Sequence, residues 1–152
     1  MKLQDFDFRI WDEDNEEFYK NPSIFKIEQI KGPHNVVLSS YSDNERINFE
    51  RYDRKFEIEL FTGFYDKNGK KIYEGDILEY TRWCEQYMED PEHSETIYEV
   101  VCFDTKGGLY SKLLNGEFGL FFEHFMNYKN NTIEEMSIIG NIHENKELLE
   151  GE

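Results

Sequence analysis

The sequence predicts an all-β fold, mostly antiparallel, with minor helical content. Three observations predict it. Aromatics make up 16% of the 152 residues, with 13 Phe and 10 Tyr, and such side chains fit a pleated, half-buried surface. Several short runs alternate apolar with polar residues, the period of a strand with one wet face. Turn residues recur every eight to twelve positions or so, a spacing that indicates a barrel or sandwich rather than βαβ units.

The elements follow in order. Phe6, Phe8 and Ile10 alternate with Asp7 and Arg9, and Trp11 precedes a polar turn at Asp12-Glu13-Asp14-Asn15. Phe18 and Tyr19 begin a return strand that Asn21-Pro22 ends. Ile24 to Ile30 is the next strand, closed by Gly32-Pro33, and Val36-Val37-Leu38 follows. Phe56-Glu57-Ile58-Glu59-Leu60 is the cleanest alternation, with apolar side chains expected inward and carboxylates outward. Asn68-Gly69 between the aromatic-rich arms Phe64-Tyr65 and Ile72-Tyr73 is a hairpin signal, because both residues tolerate φ > 0. Glu74-Gly75-Asp76 breaks the chain before Ile77-Leu78-Glu79-Tyr80.

From Thr81 to Glu95 the pattern dissolves into an acidic insertion between strands. Ile97 to Phe103 resumes a strand, and Gly107-Gly108 and Asn115-Gly116 mark turns. Phe118, Phe121, Phe122 and Phe125 fit a strand or a short helix, and periodicity does not arbitrate. Met136 to His143 reads as the last strand.

Length fits one domain spanning 1–152, without repeat, low-complexity tract or linker. The net charge is −16. Residues 1–76 hold 17 acids and 12 bases, a net of −5, and residues 77–152 hold 16 acids and 5 bases, a net of −11. Binding to a phosphate backbone relies on Lys and Arg displacing counterions, so direct nucleic-acid binding is disfavoured. The N-terminal residues carry no apolar signal stretch, and no apolar run approaches a membrane span. Cys84 and Cys102 are too few for a disulfide framework. They read as reduced thiols, so a cytoplasmic location is expected.

Assembled chemistry is hard to find. Gly63 to Gly69 is no phosphate loop, because five residues intervene and Lys70 is followed by Lys71. His34, His93, His124 and His143 are scattered, and neither cysteine has a near partner, so no zinc set forms. Glu89-Asp90-Pro91-Glu92-His93 lacks the ligand spacing of a calcium loop. Carboxylates near Cys84 disfavour a thiolate, and Cys102 sits in an apolar strand. With 33 acids, no general acid/base dyad singles itself out. No catalytic residues, metal ligands or cofactor are therefore nominated, and a non-enzyme is expected. Arg46, Arg51, Arg54 and Lys55 around Tyr52 are the nearest approach to a basic nucleic-acid patch, small and surrounded by acids.

Three stretches carry a resemblance. Phe61-Thr62-Gly63-Phe64-Tyr65-Asp66-Lys67-Asn68-Gly69-Lys70-Lys71-Ile72-Tyr73-Glu74-Gly75-Asp76-Ile77 resembles the central signature of the YopX-like family of phage and prophage proteins of Gram-positive bacteria. Ile138-Ile139-Gly140-Asn141-Ile142-His143-Glu144-Asn145-Lys146-Glu147-Leu148-Leu149 is similar to that family's terminal motif, with Lys146 where a proline is common. Phe8-Arg9-Ile10-Trp11-Asp12 is similar to its usual start. The three lie in the family's order. The resemblance implies SH3-like barrel character and a phage or prophage setting, and no activity.

Within these motifs Gly63, Asp66, Asn68, Gly69, Tyr73, Glu74, Gly75, Asp76, Gly140 and Asn141 read as structural, since Gly, Asn and Asp are the ordinary turn residues. The expected function is an accessory or regulatory role through protein–protein contacts with host or phage proteins. One form is an acidic inhibitor of a basic nucleic-acid-binding protein. An SH3-like nucleic-acid-associated module and a metal-dependent hydrolase are the alternatives, and a homo-oligomer stays open. In the insertion at 81–95, Trp83, Tyr87 and Met88 among Glu85, Glu89, Asp90, Glu92 and Glu95 are the candidate partner-binding residues. Aromatics and Met favour interface cores, and a carboxylate rim steers a basic partner.

Overall fold

A computed structural model describes residues 2, 6–19, 24–29, 36–41, 46–48, 56–83, 94–104, 108–119 and 135–149. The fold is all-β and mostly antiparallel, and one of its sheets curls into a half-barrel. Lys146–Leu148 forms a 3-10 turn.

The chain groups into two compact units, Arg9–Ile58 and Met1–Phe8 with Glu59–Glu152. In the first, β1 (Phe8–Asp12) turns back into β2 (Glu17–Phe18), with Trp11 opposite Phe18. The two rings meet edge to face at 5.0 Å. The turn forms where the polar cluster predicts it. Asp12 accepts hydrogen bonds from the amides of Asp14 (3.0 Å) and Asn15 (3.2 Å), the ordinary way an aspartate nucleates a turn. Strands β3 (Ile24–Gln29), β4 (Val36–Tyr41) and β5 (Arg46–Asn48) form an antiparallel sheet in that order. Arg46 lies on β5, and the rest of the basic patch, Arg51, Tyr52, Arg54 and Lys55, lies outside the described residues.

The other unit is built on β6 (Phe56–Tyr65), β7 (Lys71–Tyr73), β8 (Asp76–Trp83), β9 (Ser94–Asp104), β10 (Gly108–Leu113) and β11 (Ser137–Asn141). Strands β10-β9-β8-β11 make a four-stranded antiparallel sheet, and β6 pairs with β7. The core gathers Ile72, Leu78, Tyr80, Val101 and Met136, with Phe64, Ile97, Leu109 and Ile138 packed around it. Burying side chains of this size stabilises by about 1.5–3 kcal/mol each.

Two sequence expectations need correction here. In β6 the alternation does not sort apolar from charged: Ile58 is 46% exposed while Glu59 is 3% exposed. Glu59 turns inward because His143 and Asn141 meet its carboxylate there. The Asn68-Gly69 hairpin exists, but as a three-residue loop in which Gly69 has φ 76° and Asn68 keeps a negative φ. The Gly69 amide donates to the Asp66 carbonyl (2.9 Å) and the Asp66 amide to the Lys70 carbonyl (2.8 Å). That is a turn closed by a left-handed residue, the commonest three-residue alternative to the two-residue Asn-Gly turn. Leu113, Gly116 and Glu117 repeat the arrangement at the Asn115-Gly116 turn.

Strand β8 continues through Thr81, Arg82 and Trp83, and β9 starts at Ser94, with Arg82 opposite Glu95. The ladder thus takes in both ends of the 81–95 segment, and Arg82 and Glu95 form an ion pair across the strands. Residues 84–93 lie outside the described residues, as do residues 120–134 with Phe121, Phe122 and Phe125. Phe118 forms an isolated bridge with Lys112. No helix among the described residues is long and apolar enough to cross a membrane.

Candidate functional site

The β6–β7 hairpin has two faces, and they do different chemistry. Alternation along the strands sends Phe64, Asp66 and Ile72 inward, while Phe61, Tyr65, Lys71 and Tyr73 stay on the other side. Thr62 supports the irregularity between them, its hydroxyl donating to the Ile72 carbonyl (2.8 Å) and accepting from the Phe64 amide (3.2 Å).

On the inward face Asp66, 4% exposed, accepts amide hydrogen bonds from Asn68 (2.8 Å), Lys70 (2.8 Å) and Ile138 (3.2 Å). Burial alone would raise its pKa. The amides of Lys70, Ile138 and Asn68 outweigh burial and hold the carboxyl below its ordinary value, as donors to the charged form do. The Lys67 amide also donates to the Met136 carbonyl (2.8 Å), so this one loop ties the hairpin to β11. The next turn is a second tie. Gly75, at φ 80°, donates its amide to Val101 (2.8 Å) and accepts from the Ile142 amide (2.9 Å). Asp76 accepts from the Tyr73 amide (2.8 Å). Burial raises the pKa of Glu74.

Beneath Gly75 lies a polar cluster. Asn141 Nδ2 donates to Glu59 Oε2 (3.3 Å), and His143 Nε2 stands 2.9 Å from Glu59 Oε1. A Cβ at Gly75 would collide with that carboxylate. Gly140 is confined in the same way by Asn145, whose Oδ1 accepts from the Asn141 amide (3.2 Å). A second cluster surrounds Glu99, fully buried on β9. Tyr80 donates its hydroxyl to Glu99 Oε1 (2.7 Å) and Ser111 to Oε2 (2.6 Å). Burial, then the hydrogen bond to Glu99, pushes the Tyr80 hydroxyl pKa up. The Glu59 and Glu99 carboxylates are both buried and taken up by these contacts. Both clusters do the work of holding strands together.

The outward face differs. Phe61 faces Tyr73 and Tyr65 faces Lys71 across the ladder. The Phe61 ring lies 5.5 Å from Tyr65 and 5.7 Å from Tyr73. The Lys71 ammonium sits 5.2 Å from the Phe61 centroid, within cation–π range, and 2.6 Å from Asp7 Oδ2. Tyr73 donates its hydroxyl to the same oxygen (2.8 Å). Asp7 is brought there by backbone pairing, since its carbonyl accepts from the Phe61 amide (3.0 Å). Burial raises the Asp7 pKa, but Lys71, Tyr73 and the Phe8 amide outweigh it and lower the net value. The hydrogen bond to Asp7 raises that of Lys71.

The sequence names Tyr73 on this face but misses Asp7, Phe61, Tyr65 and Lys71. A hairpin read from the Asn68-Gly69 turn sets 65 opposite 71, but the register shift between Phe61 and Tyr65 that brings 61 opposite 73 leaves no local signal. Glu59, Glu99, Ser111 and His143 gave no such signal. Of the expected partner-binding residues, Glu95 lies on β9 beside Arg82 and Trp83 ends β8. Glu85, Tyr87, Met88, Glu89, Asp90 and Glu92 lie outside the described residues. Cys102 is half-buried, its thiol pKa raised by burial. Among the described residues no three His, Cys, Asp or Glu side chains are grouped to hold a metal ion.

A family model described as YopX protein matches residues 7–150. The fold is similar to the crystal structure of protein EF1440 from Enterococcus faecalis, with a TM-score of 0.55 and 24% identity over 95% of this chain and 97% of that one. No curated protein matches the chain.

Proposed function

The chain belongs to the YopX family, and we propose that it is a phage- or prophage-encoded accessory or regulatory protein that acts without catalysis, by binding a basic partner protein. The observation that carries this reading is the outward face of the β6–β7 hairpin. It gathers three aromatic rings, a carboxylate and a cation on a surface where the core needs none of them. Aromatic side chains are the usual anchors of protein interfaces, and a net charge of −16 over the whole chain favours a basic partner. The inward carboxylates Glu59, Asp66 and Glu99 are taken up by the fold, which supports a non-enzymatic role. One concrete form is an inhibitor that covers the nucleic-acid-binding surface of a host protein in the cytoplasm.

The test is affinity capture from the bacterial host with the wild-type chain and with a Phe61→Ser/Tyr65→Ser variant that still melts cooperatively. A basic protein held by the first and lost by the second is the expected result. The same captured set with both would contradict it. Titration with duplex DNA at physiological salt should show no tight binding, because the net charge opposes a polyanion. Submicromolar affinity for DNA would instead favour a nucleic-acid-associated module.

A further inference from the structure

We propose that Lys71 is a built-in pseudo-ligand, occupying a box formed by Phe61, Tyr65, Tyr73 and Asp7 whose exchange partner is a lysine side chain of another protein. This deepens the basic-partner reading above and rests on it.

The box has the parts that recognise an ammonium group. The Phe61 ring presents its face to the charge at 5.2 Å, and Tyr65 and Tyr73 flank that ring at 5.5 Å and 5.7 Å. Asp7 Oδ2 closes the site with a charge-assisted hydrogen bond of 2.6 Å to Lys71 Nζ, and the Tyr73 hydroxyl fixes the same oxygen. Aromatic rings around a cation are a general device for recognising ammonium ligands. Between Phe61 and Tyr65 the strand carries Gly63, at φ 88°, where an added Cβ would meet nothing within 4 Å.

The occupant is easily displaced. The Lys71 side chain is 43% exposed and that of Asp7 36%, and exposed ion pairs contribute little to stability. Lysine also has a flexible stem that can swing its charge into water. An incoming lysine would meet the same Phe61 face and the same carboxylate, and Lys71 would be released to solvent. A tethered competitor weakens the apparent affinity of an external one by the fraction of time it leaves the site empty. Lys71 thus sets a threshold: isolated lysines bind poorly, whereas a partner that brings several basic contacts displaces it.

The experiment titrates a capped tetralysine peptide into the full chain while NMR follows the ring signals of Phe61, Tyr65 and Tyr73. Wild type is compared with Lys71→Gln and with the double variant Lys71→Gln/Asp7→Asn, each first shown to melt cooperatively. Removing the tethered competitor should tighten binding at least about fivefold in Lys71→Gln, with the shifts centred on the three rings. The double variant should lose that gain. Equal or weaker binding by Lys71→Gln, or shifts centred elsewhere, would overturn the box. In that case a peptide that still binds wild type leaves the basic-partner reading standing, whereas no binding by any variant overturns both.

Discussion

Tyr65 and Asp66 are neighbours in the chain and opposites in the fold. Tyr65 is 49% exposed, and its ring touches Phe61 on the outward face. Asp66 is 4% exposed and collects three backbone amides, Asn68 and Lys70 from its own loop and Ile138 from β11. Both belong to one hairpin, so proximity to the signature says nothing about role. What a side chain touches decides it: Asp66 on the inward side satisfies buried backbone amides, whereas the rings and charges of the outward side contact one another at the surface.

The largest effect should come from the inward row. Asp66→Ala would leave buried amides without an acceptor, and a cost of about 3 kcal/mol is expected in chemical denaturation. Gly75→Ala comes next, at about 2 kcal/mol, because the new Cβ meets Glu59 in a backbone conformation that disfavours side chains. Gly69→Val is smaller. An added Cβ there finds open space, so only the positive φ costs energy, about 1–2 kcal/mol. A cost near zero for Gly75→Ala with a large one for Gly69→Val would reverse the assignment of the two turns.

Acid sharpens the same contrast. The Asp66 carboxyl titrates below its ordinary value of 3.8 in the folded chain. Its stabilisation is therefore present above that value and lost as pH falls through the lower, folded one. Asp7 shifts the same way but lies at the surface, where solvent screens the interaction. Asp66→Asn should flatten the acid limb of stability against pH, and Asp7→Asn should leave it nearly unchanged. At the alkaline end the raised Lys71 pKa means that its contact with Asp7 persists through neutral pH and is lost as pH rises through the folded lysine value.

How much of this the sequence could reveal depends on the kind of signal. Gly69 and Asp12 act within a few residues of themselves, so their turns are legible from local chemistry. The same holds for the all-β class, which rests on the composition and period of the whole chain. Glu59 and Glu99 defeat such reading because their partners are distant: His143 lies at the far end of the chain, and Ser111 on another strand. A period of two assigns Glu59 to solvent, and only a tertiary partner can reverse it. The outward box stands between these cases. Its Tyr65–Lys71 pair follows from the hairpin register, but the Phe61–Tyr73 pair needs a register shift, and Asp7 joins through a backbone bond to Phe61 that no local pattern encodes.

The most direct measurement is the thermal melting of Tyr65→Ala beside that of Asp66→Ala. Tyr65 contributes one ring contact at a half-exposed site, worth about 0.5–1 kcal/mol, and a chain of this size loses about 2–4 °C per kcal/mol. The account predicts that Asp66→Ala lowers the melting temperature by about 10 °C and Tyr65→Ala by no more than about 3 °C. Equal drops, or a larger one for Tyr65→Ala, would mean that the outward face holds the fold together. The division of this hairpin into a structural side and a binding side would then be wrong.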